Sequence, residues 1–303
     1  MSASAVPPSA ARVANYVVAF EASDRGNESI ELGVALARLT GAELRICVIL
    51  PPPSITPGAA SINRAAGQAR EWLALAEAQI PAGVVATTHL AWAESTAEGL
   101  LEIAQRFDSD RIVIGAARTR GGILNRFTIG TVAHALLLSS PIPVALAPQG
   151  YKAPADITRV TCLIGTRPGW QSVLDSMLSI SEDLSVSLRF VTLIEVDAAR
   201  AGRFDGTDES STAHLSNVLH YFEERSDATG TVTTAVGRGA SLEAAVDALA
   251  WRDDEIAFLG SIRLAQQSKI SLGVTVRRIL QSLPVPLIVV PLAASGRSER
   301  AND

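Results

Sequence analysis

The sequence predicts an α/β protein made of two doubly wound domains, each with a parallel sheet of about five strands. Three observations carry that prediction. The chain has 303 residues of which 48% are hydrophobic, enough to bury two cores rather than one. Apolar strand-like runs alternate with segments of helical spacing, and most of the strands are apolar throughout, as strands of a sheet covered on both faces are. The two halves also repeat. Pro141, Pro143 and Pro148 of "SSPIPVALAP" stand 143 residues before Pro284, Pro286 and Pro291 of "SLPVPLIVVP", a period that fits a duplicated domain and is too long for a solenoid unit.

Element by element, the first half begins after a polar arm at 1–12 with "NYVVAF", a β-branched apolar run read as a strand. "NESIELGVALARLTGA" follows with helical spacing, and Gly41 is placed to stop it. "ELRICVIL" is a second strand, and proline keeps "PPPSITPG" from being helical. Ile62, Ala66, Ala69, Leu73, Ala76 and Ile80 recur at steps of three and four, marking the inner face of a long helix that leads to the strand "GVVATTHL". "STAEGLLEIAQRF" is a third helix with Ser95 as N-cap and Glu98 three residues on. A fourth strand, "IVIG", a Gly- and Arg-containing loop, a helix and the strand "PVALAP" complete the half. The boundary falls near Gly150 in "PQGYKAPAD", giving domains at 13–150 and 151–292 and a polar tail at 293–303.

Bulk properties narrow the function. A net charge of -5 with 19% charged residues lacks the basic stripe of a nucleic-acid binder. Cys47 and Cys162 lie apart in apolar strands and outside any C-x-x-C spacing, as buried thiols of a cytosolic chain do. No stretch reaches the roughly 18 apolar residues of a membrane span, and "MSASAVPPSAAR" lacks a secretory apolar core. The expectation is a cytoplasmic protein without nucleic-acid or membrane partners.

In an open parallel sheet, ligands sit beyond the carboxyl ends of the strands where the winding reverses. Two loops reach that place in each half. The loop after strand one reads "FEASDRGNES" in the first half and "LIGTRPGWQS" in the second, and only the first offers a carboxylate, Glu21. In the loop after strand four, Gly115 allows close backbone approach, Gly121 and Gly122 permit φ > 0, and Gly130 with Thr131 opens a helix whose free N–H groups favour a phosphate. Arg118, Arg120 and Arg126 add charge that can pair with phosphate oxygens. The bland alternative is a strand-to-helix connection whose glycines serve the turn and whose arginines are solvated. Ser23, Thr131 and Glu21 are equally readable as helix caps.

On these motifs, residues 13 to 292 resemble a tandem universal stress protein, two such domains fused. ATP-binding members of that family carry G-x2-G-x9-G-[ST] after strand four and an acidic residue followed by Gly-Ser after strand one. Gly115 matches the first glycine, Gly130 the last and Thr131 the hydroxyl residue, while Glu21-Ala22-Ser23 stands where Asp-Gly-Ser is usual. Arg118 replaces the second glycine, and eleven residues separate it from Gly130 instead of nine. The resemblance implies the adenine nucleotide α-hydrolase-like fold with strand order 3-2-1-4-5. It also implies ATP or another adenine nucleotide as a regulatory ligand of the first domain, with Mg2+ accompanying it. Glu21 would approach sugar or base, Gly115, Gly121 and Gly122 would line the phosphates, and Gly130-Thr131 would close over them.

The second half keeps Gly260 and Gly273 but has Arg263 for the second glycine, Val274 for the hydroxyl residue and no glycine in "LAQQSKISL", so weak or absent nucleotide binding is expected there. Trp170, in the loop after its first strand, has the bulk to fill the vacated pocket. Family members pair through the last strand, and here "PVALAP" and "PLIVVP" would pair within the chain, leaving a homodimer open.

No G-x-S-x-G elbow or complete Walker A pattern is present, and no catalytic residue is nominated. His214 and His220 are six apart on a helix, about 600° around, so their side chains diverge and no metal site is expected. The rival readings are a nucleotide-free scaffold of the same fold that binds another protein, and a slow ATP-hydrolysing enzyme.

Overall fold

The computed structural model describes residues 12–21, 27–53, 59–115, 130–165, 170–181, 186–196, 207–226, 230–261, 263–266, 269–272 and 274–291. In the first half, strands β1 (Asn15–Ala19), β2 (Glu43–Leu50), β3 (Ala86–Trp92), β4 (Arg111–Gly115) and β5 (Val144–Ala147) alternate with helices α1 (Glu28–Thr40), α2 (Ala59–Glu77), α3 (Thr96–Arg106) and α4 (Thr131–Ser139). The second half carries β6 (Arg159–Leu163), α5 (Trp170–Ser181), β7 (Ser187–Glu195), α6 (Thr207–Glu223), β8 (Val232–Gly239), α7 (Leu242–Asp247) and β9 (Glu255–Ser261). It continues through β10 (Arg263–Gln266), β11 (Lys269–Leu272), α8 (Val274–Ser282) and β12 (Leu287–Pro291).

Each half has the doubly wound order 3-2-1-4-5, read as β3-β2-β1-β4-β5 and β8-β7-β6-β9-β12. All pairings among these five strands of each half are parallel. The two sheets are one sheet of ten strands, joined where β12 runs antiparallel to β5 with Leu287 opposite Leu146, Ile288 opposite Ala145 and Val289 opposite Val144. Pairing two apolar last strands covers both edges at once.

Local chemistry explains the elements. Ala66, Ala69, Leu73 and Ala76 are all buried, so the three-and-four spacing is the core face of α2, and Ile80 packs beyond its end. Gly41 ends α1 in the left-handed conformation at φ 70° with its N–H on the Ala37 carbonyl. Ser95 and Ser241 each cap a helix by accepting from the backbone N–H of Glu98 and Ala244. One face of the sheet packs on α1, α2, α5 and α6, and the other on α3, α4, α7 and α8. Both cysteines are buried free thiols, and burial pushes Cys47 up to about 12 and raises Cys162. Neither is expected to react with Ellman's reagent in the native protein, and both are expected to react after denaturation, read as two equivalents of released chromophore.

At the amino ends of the strands the halves differ in their buried charges. Glu255, at the start of β9, is fully buried and accepts from Arg159, Thr161, Arg189 and the Arg252 backbone N–H. The first half has instead Arg111, buried at the start of β4 opposite Tyr16 of β1. Its guanidinium lies 5.1 Å over the Tyr16 ring, and its Nε and Nη1 find no hydrogen-bond partner among the described residues. Burial holds Arg111 below its ordinary range.

Candidate functional site

The winding reverses between β1 and β4, because β1 leads through α1 to β2 on one side and β4 leads through α4 to β5 on the other. Their carboxyl ends open the crevice where such folds take ligands. Ala19 ends β1, and Ser29 of α1 ties that end down by donating its hydroxyl to the Ala19 carbonyl at 2.6 Å. Glu21 follows as an exposed residue. Gly115 ends β4, Gly130 is the N-cap of α4, and Thr131 is its exposed first residue. Gly130 supplies no side-chain cap, and among the described residues no side chain caps the first N–H groups of α4, which suit an anionic ligand. The structure thus places Glu21, Gly115, Gly130 and Thr131 at the ends of these elements, whereas Ala22, Ser23, Arg118, Gly121 and Gly122 lie outside the described residues.

Among the described residues nothing requires glycine at position 115. It is absent from the positive-φ glycines, and a Cβ built on it would meet only ordinary contacts, Ser29 N at 3.7 Å and Glu28 Cβ and Oε2 at 3.8 Å. Gly33 and Gly99 of the same half are different, since a Cβ there would come within 3.0 Å of Val18 and 2.7 Å of Ile49. Packing requires glycine at position 99 and crowds Gly33, but among the described residues it leaves Gly115 unexplained.

Sequence reasoning missed Glu28. Its Oε1 accepts from the Gly150 N–H at 3.1 Å while its Oε2 lies beside Gly115. One turn on, Glu31 accepts from Lys152 Nζ and the Ala153 N–H, both at 3.0 Å. Helix α1 therefore grips the interdomain linker from beside the crevice, with Tyr151 buried between and its phenol raised by burial first and Glu31 second. In sequence, both glutamates read only as acids favoured in a first helical turn.

The second crevice is built otherwise. Trp170 starts α5 and packs edge-on against His214 of α6 at 5.6 Å and Tyr221 at 5.1 Å. Tyr221 donates to Asp175 and carries Arg225 over its ring at 3.7 Å. Burial lowers His214, against a bond to the Gly165 backbone that raises it. His220, on the same helix, is exposed and faces Glu224 instead. On the other side, Arg278 of α8 clamps Glu243 of α7 with two bonds of 2.7 Å and reaches Glu195 at the end of β7 at 3.3 Å. Between β9 and α8, where the first half has its Gly- and Arg-containing loop, β10 and β11 form an antiparallel hairpin with Gln266 opposite Lys269 and Arg263 opposite Leu272.

The Arg278 guanidinium holds Glu243 down to about 2. A depressed carboxyl contributes stability above its unfolded value, about 4.3, and loses it as pH falls through the folded value. Arg278→Ala is expected to return the Glu243 titration to the ordinary range, measurable by carbon-detected NMR of the side-chain carboxyl.

Comparison with known proteins agrees with this architecture. Residues 14–148 match the universal stress protein family. A universal stress protein of Mycobacterium tuberculosis strain H37Rv is 26% identical over 290 residues, covering 91% of this chain and 99% of the relative, and one of Mycobacterium bovis matches to the same extent. Among solved structures, a universal stress protein of Archaeoglobus fulgidus superposes with a TM-score of 0.65 at 16% identity, covering 91% of this chain and 98% of that one. A functionally unknown protein of Pseudomonas aeruginosa superposes at 0.57 with 14% identity, covering 92% and 93%. At these identities the structural likeness speaks for the fold.

Proposed function

We propose that the chain is a tandem universal stress protein, residues 14–148 matching that family, and that its first domain binds an adenine nucleotide as a regulatory ligand, one per chain. The observation that carries the reading is Gly115. Neither its backbone conformation nor its packing against the described residues calls for glycine, and it ends the strand at the switch point beside α4. Close approach of a ligand to the backbone supplies the missing reason. The first turn of α4, opened by Gly130 and Thr131, offers N–H groups and a partial positive charge to phosphate oxygens. Glu21 lies at the same end of the sheet and suits a sugar hydroxyl or a base amine.

Ala22, Ser23, Arg118, Gly121 and Gly122 complete the proposed set, with Mg2+ accompanying a triphosphate. The ligand acts by occupancy, and no side chain at the crevice is assigned a catalytic step. Nucleotide is expected to be excluded from the second domain, because Trp170 occupies the head of α5 and the β10–β11 ladder turns backbone groups toward each other. The protein is expected to act in the cytoplasm.

Calorimetric titration of Mg·ATP, ADP and AMP into nucleotide-free full-length protein tests this reading. Saturable heat at one site per chain is expected, lost in Gly130→Glu. Gly115→Ala separates ligand from structure. Because alanine is compatible with the site, the variant is expected to be as stable as the parent or more so by about 0.4–1 kcal/mol, yet to bind at least about tenfold more weakly. No heat at millimolar nucleotide from folded protein would overturn the reading in favour of a nucleotide-free scaffold.

A further inference from the structure

The hairpin that replaces the phosphate loop of the second domain does not stand alone. Strand β11 lies against α4 of the first domain, the helix whose first turn carries Gly130 and Thr131. An isolated two-stranded hairpin is marginal in water and needs a surface to pack on. Helix α4 has only nine residues and no capping side chain, so its position depends on what packs around it. The same residues that disable the second crevice therefore make a contact that each element needs. The hairpin follows Ser261 of β9, which lies beside Pro291, and Val289 stands opposite Val144 just after α4, so the antiparallel seam roots the hairpin at the end of α4 away from Gly130, and any coupling to the first turn runs along the helix.

We propose that the second domain has converted its phosphate loop into an arm, Arg263–Leu272, which docks on α4 and couples the second domain to the ligand site of the first. The docking itself stands on the backbone geometry, whereas its effect on ligand rests on the nucleotide reading above. A ligand that fixes the first turn of α4 favours the docked arm, and by reciprocity the docked arm favours the ligand. The partner surface recognised by this loop is thus another part of its own chain.

Hydrogen exchange on the full chain tests both parts. In Ser271→Pro, proline's fixed φ and missing N–H oppose the pairing with Leu264. The amides of α4 are expected to exchange roughly tenfold faster, with β1 to β3 and β6 to β8 unchanged. A chain in which Leu264–Ser271 is replaced by a Gly-Ser tether gives the same reading should the proline variant unfold. Unchanged α4 exchange in a folded variant whose arm amides are freed overturns the docking.

Mg·ATP is then added to the wild-type chain. Slower exchange in both α4 and the arm, with affinity falling at least threefold in the tethered chain, supports the coupling. Bound nucleotide that leaves the arm and the affinity unchanged overturns it. Absence of any nucleotide binding, seen by calorimetry, overturns the coupling to this ligand together with the nucleotide reading, and leaves the docking to be decided by the first comparison alone.

Discussion

Replacing Glu255 with alanine is expected to weaken the protein by about 3–5 kcal/mol, read as a lowered urea midpoint. The carboxylate side chain has no solvent exposure and sits between Arg159 and Arg189, whose own side chains are 16% and 7% exposed. Four donors satisfy it, among them Thr161 and the Arg252 N–H, and Arg189 is further held 4.9 Å over the Trp251 ring. Removing the acid leaves two guanidinium groups facing each other with their shared counter-charge gone. Burial already lowers Arg189, and the Glu255 charge is the largest influence opposing that. Glu255→Gln preserves the shape and some of the hydrogen bonds, so a smaller loss is expected from it. Equal midpoints for the alanine variant and the parent would show that the cluster is solvated in solution.

The second large effect is expected at the seam. Ile288→Ala should destabilise by about 2–5 kcal/mol, because Ile288 is fully buried opposite the small Ala145. The loss should reach both halves together. The core on this face runs without a break from Val113 and Ala145 to Ile288 and Val290, and buried Tyr151 and Ile157 of the linker region join it. Circular dichroism and tryptophan fluorescence, with Trp72 and Trp92 in one half and Trp170 and Trp251 in the other, are expected to report a single coincident transition at the lower midpoint. Two separated transitions in the parent protein would mean that the halves fold independently and that the seam is only a contact.

Much of this was legible in the chain itself. Spacing of three and four fixed the inner face of α2, the Ser95 cap fixed the start of α3, and Gly41 fixed the end of α1. These features are local, and the hydrogen bonds that express them span a few residues. The repeated Pro-flanked strands also announced the seam, because two apolar edge strands have few other ways to cover their backbone groups. Gly115, Gly130 and Thr131 could be nominated from the order of strand, loop and helix alone.

What the sequence could not decide depended on residues distant along the chain. Glu28 is an ordinary first-turn acid until the fold brings Gly115 and Gly150 to it from 87 and 122 residues away. Arg111 and Glu255 are visible as letters, yet only the packing shows both buried, one with nitrogens unpartnered among the described residues and the other fully bonded. "LAQQSKISL" could be read as a loop unfit for phosphate, but its pairing as a hairpin against α4 of the other half required the seam to be built first. Local propensity sets which elements form, through short-range hydrogen bonds and side-chain periodicity. The tertiary structure decides which charges lose water together and which loops meet, because burial is a property of the assembled chain.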